Sequence, residues 1–224
     1  MRRIDLNEAA NFLREHDKFV ILMHGSPDGD TVGCGTALCE ALQQMGKLAK
    51  AVCPDPVPKK FGYMFNGVKE QEFEPETVIA VDVADTKLLY GLRELGEKTQ
   101  LCIDHHVSNT EYAERLLLAP EYAAAAELMF ELLSSMKEIR LTNTIADSLY
   151  TGIATDSGCF KYSNTSPQTH VYAAELIKLG ADIVPINYAM FDMKSQGRLK
   201  LEQLALSKIR YYAGGRIAVI DVTQ

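Results

Sequence analysis

Eight residues of this chain carry side chains able to hold cations or move protons. They fall in four short clusters: His24 with Asp28 and Asp30, Asp82, Asp104-His105-His106, and Asp156. Brought to one place, the five carboxylates would repel one another and could not all ionise unless positive charge lay among them. Few Lys or Arg residues stand near these clusters, so metal cations are the natural neutralisers. Oxygen donors with a few imidazoles suit Mn²⁺ or Mg²⁺ better than thiolate-held zinc. More carboxylates are present than one ion needs, which points to two ions roughly 3.5–4 Å apart, the arrangement of two-metal phosphoryl chemistry. Each cluster alone has a plainer reading: His24 as a capping or core residue, Asp28-Gly29-Asp30 as a turn, His105-His106 as a surface pair, Asp156-Ser157-Gly158 as a helix end. Their joint placement at element boundaries favours a metal centre.

The elements that must position them follow from the hydrophobic pattern. Asp5-Leu6-Asn7-Glu8 resembles a capping box and predicts a helix over 5–15. Phe19 to Met23 is a short apolar run suited to a strand buried on both faces. The polar turn 24–30 follows, and then a helix from Thr31 to Met45, closed by Gly46. The pattern repeats: a strand over 77–81 ends at Asp82, a helix covers 86–95, and a strand over 100–103 ends at Asp104-His105-His106. Helices over 122–136 and 142–154 come next, the second running into Asp156. Alternating strands and helices predict an α/β fold, a mostly parallel sheet flanked by helices. In such sheets ligands bind beyond the carboxyl ends of the strands.

Beyond that point the character changes. Ser166 caps a helix from Pro167 to Leu179, with proline at its first position; a second helix is expected over 183–193 and a long charged one from Ser195 to Tyr212. Gly214-Gly215 then opens a strand over 216–222. A strand with no partner behind it cannot stabilise itself. The expected organisation is therefore a metal-binding catalytic domain over 1–192, a linker helix over 193–213, and the first strand of a missing second domain over 214–224.

Composition bounds the function. The chain has 224 residues, 47% hydrophobic and 24% charged, enough for one large globular domain or one domain with a small partner. A net charge of −7 argues against gripping long duplexes by phosphate neutralisation. No apolar run reaches the roughly 20 residues that span a bilayer, and the start lacks the apolar core of a signal peptide, so a cytoplasmic protein without a membrane partner is expected. The five cysteines include no C-x-x-C pair and read as reduced, buried thiols. His16 and His170 read as solvated, as do the basic patches Lys59-Lys60 and Arg198-Leu199-Lys200.

The motifs together resemble the DHH phosphoesterase superfamily: His24-x-x-x-Asp28-Gly29-Asp30, Asp82, Asp104-His105-His106 and Asp156. The text around them, Pro27-Asp28-Gly29-Asp30-Thr31-Val32-Gly33 and Gly152-Ile153-Ala154-Thr155-Asp156-Ser157-Gly158-x-Phe160 followed by Tyr162-Ser163-Asn164-Thr165-Ser166, is similar to the NrnA-like oligoribonuclease and phosphoadenosine-phosphatase branch. The resemblance covers about residues 15–190; Cys34 stands where that branch would have serine. It implies one ion, Mn²⁺ or Mg²⁺, held by His24, Asp28 and Asp82, and a second by Asp30, Asp82, His105 and Asp156, with Asp82 bridging and a water between the ions as nucleophile. It gives His106 the scissile phosphate or the leaving group, and Asp104 the orienting of a histidine, although the adjacent His105 and His106 could exchange roles. Ser163 and Asn164 are either a simple connection or a contact to substrate phosphate or ribose. The family also places a small substrate-gripping domain after a linker helix, of which Gly214 to Ile220 looks like the first strand, and makes a homodimer plausible.

The expected function is hydrolysis of short oligoribonucleotides or a nucleoside 3′,5′-bisphosphate. The alternatives are a pyrophosphatase or cyclic-dinucleotide phosphodiesterase, and a non-catalytic regulatory module of the same fold. Against the last, no expected metal ligand is missing.

Overall fold

The computed structural model describes residues 1–221, which fall into two compact units, Met1–Asn187 and the remainder from Tyr188 onward. The first unit is built on a six-stranded, wholly parallel sheet. Its strands are β1 (Arg2–Arg3), β2 (Phe19–Leu22), β3 (Ala49–Val52), β4 (Thr77–Val81), β5 (Leu101–Asp104) and β6 (Arg115–Leu118), in spatial order β1-β6-β5-β4-β2-β3. The three strands predicted in this unit are the adjacent inner strands β5, β4 and β2, and every residue of them is buried. Continuous apolar runs are what a strand covered on both faces requires. The strands that periodicity did not reveal lie outside them. β3 and β6 are half-exposed and mixed in character, and β1 is two residues at the sheet edge.

The helices of this unit are α1 (Leu6–Glu15), α2 (Gly29–Gln44), α3 (Arg93–Gly96), α4 (Ala125–Ser135), α5 (Asn143–Asp156), α6 (Pro167–Lys178) and α7 (Ile183–Asn187). The expected capping box opens α1: Asp5 accepts from the Glu8 amide at 2.8 Å, and Glu8 accepts from the Asp5 amide at 3.2 Å. Ser166 caps α6 with Pro167 following, as predicted. On one face of the sheet, Val20, Leu22, Val78, Ala80 and Cys102 form a buried cluster with Val83, Leu89, Ala113 and Leu116, against which Leu92 and Leu95 pack. Those alternate strand positions share a face because side chains alternate along a strand.

Several predicted elements differ. The helix expected over 86–95 is a 3₁₀ segment, Thr86–Leu92, broken at Tyr90, whose φ is 43°, before the short α3. The helix expected over 183–193 is α7 followed by a π turn, Tyr188–Asp192. His16 is not solvated: it is half-buried, stacked on Phe12 at 4.1 Å between ring centroids. His170 is exposed, but it stacks on Phe160 at 5.1 Å. Of the cysteines, Cys34, Cys39 and Cys102 are buried and Cys53 and Cys159 half-buried, all unbridged.

In the second unit, the helix expected to run from Ser195 to Tyr212 ends at Ser207 as α8 (Gln196–Ser207). Arg210–Tyr212, aromatic and thus suited to a pleated surface, forms β7 instead. It pairs antiparallel with β8 (Ile217–Val219), matching Tyr212 to Ile217 and Arg210 to Val219. The strand expected to be solitary therefore has a partner. Left-handed backbone at Ala213, Gly214 and Gly215 turns the chain between them. Val222, the last residue of that expected strand, lies outside the described residues.

Candidate metal centre

The strand order reverses between β4 and β2: from β2 the chain proceeds to β3 on one side, from β4 to β5 and β6 on the other. This switch point opens a crevice at the carboxyl ends of the strands, and the eight singled-out residues surround it. His24 follows β2, Asp82 follows β4, and Asp104 ends β5 with His105 and His106 behind it. Asp28 caps α2, accepting from the amides of Asp30 and Thr31 at 3.0 and 3.1 Å, so the Asp-Gly-Asp turn is at once a helix cap and part of the cluster. Asp156 ends α5. Asp82 is held at φ 57°, a conformation uncommon for a residue with a side chain and typical of functional sites.

The donor atoms form two groups that share Asp82. His24 Nε2 lies 3.6 Å from Asp28 Oδ1 and 3.5 Å from Asp82 Oδ2. His105 Nε2 lies 3.4 Å from Asp156 Oδ2, 3.6 Å from Asp82 Oδ1 and 3.8 Å from Asp30 Oδ2. These separations are too long for strong hydrogen bonds. They fit donors around a common ion, which at about 2.1 Å from each can be at most about 4.2 Å apart. Asp82 Oδ1 and His105 Nε2 are buried and have no hydrogen-bond partner among the described residues. Leaving such atoms unpaired is costly, and a divalent cation would satisfy both, so the donor set fits a metal.

Backbone carbonyls fix two of the histidines. Nδ1 of His24 donates to the Gly25 carbonyl at 2.8 Å and Nδ1 of His105 to the Tyr122 carbonyl at 3.1 Å, which turns each Nε2 toward the carboxylates. His106 is different. Its Nδ1 donates to Asp104 Oδ1 at 2.8 Å, and its side chain is 41% exposed. The same Asp104 oxygen accepts the His105 amide, and Oδ2 accepts Asn109 Nδ2 at 2.6 Å. The two adjacent histidines are thereby distinguished: His105 faces the carboxylates, whereas His106 keeps its Nε2 for something else. Asp104 orients His106 in particular.

Three parts of the site escaped the sequence reading: Asn109, the Tyr122 carbonyl and the start of α4. Asp30 is fully buried and accepts the amides of Ala125 and Ala126 at 2.6 and 2.9 Å. Helix α4 begins at Ala125, not 122, because Ala124 is extended and no local side chain caps it; Asp30 does so from across the fold. A main-chain partner carries no signature in side-chain spacing. Asn164, expected near substrate, donates its amide to the carbonyls of Ala123 and Asp156, both at 3.2 Å, while Ser163 is exposed.

Residues 18–153 match the model of the DHH family's N-terminal domain. The chain belongs to the DHH family. Among curated relatives of this DHH chain, the bifunctional oligoribonuclease and PAP phosphatase NrnA of Thermus thermophilus is 29% identical over 209 residues, covering 91% of this chain and 63% of the relative. The NrnA of Mycoplasma genitalium is 32% identical over 191 residues, covering 82% and 60%. The chain thus spans about three-fifths of the length of these relatives. Among solved structures, an exopolyphosphatase-related protein of Bacteroides fragilis superposes with a TM-score of 0.82 at 24% identity, over 92% of this chain and 66% of that one. A putative family II inorganic pyrophosphatase of Methanococcus jannaschii gives 0.54 at 22% identity, over 77% and 59%. Both share the fold.

The electrostatics of the DHH centre set its pH behaviour. Burial disfavours charge on His24, yet the Asp28 and Asp82 carboxylates outweigh it and hold the imidazole up at about 11. Burial likewise opposes His105, and Asp156, Asp30 and Asp82 raise it to about 10. Burial lifts Asp82 to about 6, and burial beside Asp82 and Asp156 pushes Asp30 well above the usual carboxylate range. Without metal, then, both imidazoles are protonated at neutral pH, whereas a metal ligand must be neutral. Metal binding is expected to release protons, and apparent affinity to rise as pH rises from 6 to 9, by about tenfold per unit for each proton displaced. Calorimetry of Mn²⁺ binding in buffers of different ionisation enthalpy counts those protons; a count of zero contradicts the assignment.

Proposed function

We propose that this chain carries the catalytic centre of a metal-dependent phosphoesterase acting on short oligoribonucleotides, a nucleoside 3′,5′-bisphosphate, or both. The observation that supports it best is Asp82, whose two oxygens face two separate histidine–carboxylate groups, 3.5 Å from His24 and 3.6 Å from His105. In this reading His24, Asp28 and Asp82 hold one divalent ion, and Asp30, Asp82, His105 and Asp156 a second, with Mn²⁺ favoured. Such ions supply charge stabilisation at a phosphoryl oxygen and lower the pKa of an attacking water. The domain over 1–192 carries this chemistry, and both relatives above bear names with a nuclease and a phosphatase activity.

The chain's own residues do the rest. Asp104 accepts the Nδ1 proton of His106 and raises its pKa, keeping a proton available at Nε2 for a phosphate oxygen or the leaving group. Asp104 itself, though burial opposes its charge, is held below the usual carboxylate range by hydrogen bonds from His106 and Asn109. In this reading Ser163 and Asn164, both exposed in the α5–α6 turn, would contact substrate phosphate or ribose.

Two experiments test the reading. A labelled ribodinucleotide, adenosine 3′,5′-bisphosphate and pyrophosphate, each incubated with Mn²⁺ and with chelator, should show metal-dependent release from one of the first two; release from pyrophosphate alone would overturn the substrate assignment. Asp104→Asn should lower turnover about 10–100-fold, the cost of losing an orienting partner, while leaving the number of bound Mn²⁺ ions unchanged. A loss of Mn²⁺ in that variant would make Asp104 a ligand.

A further inference from the structure

Two tyrosines stand at the rim of the metal centre, one beside each half of it. Tyr90 lies against Gly25, the residue after His24: a β-carbon there would fall 2.1 Å from Cε2 and 2.5 Å from Cδ2 of the ring. Tyr162 lies against Gly158, two residues beyond Asp156, where a β-carbon would fall 2.3 Å from Cζ and 2.5 Å from Cε1 and Cε2. Each ring thus lies against glycine backbone while its residue stays exposed, Tyr90 at 56% and Tyr162 at 61%.

Strained backbone presents both. Tyr90 itself has φ 43°, and Tyr162 follows a run at Gly158, Cys159 and Phe160 with φ of 57°, 57° and 62°. For bulky residues such conformations persist only where the surroundings fix them, and they gather at ligand clamps. The surroundings do fix them. The Gly25 amide donates to the Leu88 carbonyl at 2.8 Å beside Tyr90, and the Ser157 hydroxyl accepts the Phe160 amide at 3.0 Å below Tyr162. The Phe160 ring is in turn stacked on His170.

We propose that Tyr90 and Tyr162 are stacking platforms for the two bases that flank the scissile phosphate, so that a fragment with at least two nucleosides is preferred over a mononucleoside bisphosphate. The inference rests on the phosphoesterase reading above. A phosphodiester seated on the metal centre would carry a nucleoside on either side, and the two tyrosines adjoin its two halves, Tyr90 at Gly25 beside His24 and Tyr162 at Gly158 near Asp156; a bisphosphate has one base and would use only one. Base–aromatic stacking tolerates any base, so little sequence preference is expected.

The test reads binding without turnover. Phosphorothioate-linked dinucleotides with 2-aminopurine at the 5′ or the 3′ position are mixed with the full chain in Mn²⁺, and stacking is followed as fluorescence quenching. Tyr90→Leu and Tyr162→Leu fill the same surface without an aromatic face. Each should weaken dinucleotide binding about tenfold or more and relieve quenching at one position, and not the same one. Tyr90→Phe and Tyr162→Phe should restore both, and adenosine 3′,5′-bisphosphate should respond to only one of the leucine variants. Leucine variants that bind and quench like the unaltered chain overturn the proposal, as does a chain that quenches neither probe. Mn²⁺ titration of the same samples separates the two readings: absent Mn²⁺ binding strikes the metal centre, and intact Mn²⁺ binding with tyrosine-independent quenching strikes the platforms alone.

Discussion

Asp82→Asn is expected to reduce hydrolysis about 10³-fold and to remove tight binding of two Mn²⁺ ions together. Its oxygens face the His24 group at 3.5 Å and the His105 group at 3.6 Å, so no other single side chain belongs to both. Charge stabilisation by metal is worth several kcal/mol, which in rate is about three powers of ten. Asparagine is the substitution to choose because it keeps the shape and tolerates the left-handed backbone found there, φ 57°. Calorimetric titration beside the hydrolysis assay decides it. A variant that still binds two ions and keeps its rate within tenfold would mean that Asp82 does not bridge.

Gly33→Ala is expected to lower stability by about 3 kcal/mol and the melting temperature by roughly 6–12 °C. Helices α2 and α5 cross at this residue so closely that a β-carbon would fall 2.3 Å from the Ser148 carbonyl oxygen and 3.1 Å from its carbon. Main chain cannot swing aside as a flexible side chain can, so the helices must part. They carry Asp28 and Asp30 on one and Asp156 on the other, and Mn²⁺ affinity should fall with stability. Thermal melts with and without Mn²⁺ measure both losses; an unchanged melting temperature would show that the crossing yields at no cost.

The parts of this molecule legible in its sequence are those whose physics is local or periodic. β2, β4 and β5 are continuous apolar runs because both faces are covered, and the chemistry-bearing residues sit where those runs stop. β3, Ala-Lys-Ala-Val at the sheet edge, and β6, paired between β1 and β5, were not legible, because a half-exposed strand has no such signature. The same holds for Arg210–Tyr212, where a helical charge pattern in the preceding segment masked a strand that pairs with Ile217–Val219. Within the site, residue types and order located the cluster but left His105 and His106 interchangeable. What separates them is the Tyr122 carbonyl on one Nδ1 and Asp104 on the other, and neither is encoded in spacing.

The bond from Asp30 to the first amides of α4 bears on how such a chain would decay once selection for its chemistry ceased. Asp30 is fully buried and serves as the missing cap of a core helix, so its loss would be punished as misfolding whether or not the protein still turned anything over. Asp156 is 23% exposed at a helix end, its carboxylate facing His105. Mutational drift would therefore erase Asp156 early and leave Asp30 in place long after activity had gone. In telling a working copy of this fold from a relic, an intact Asp-Gly-Asp turn is poor testimony, and the aspartate at the end of α5 is the one to look for.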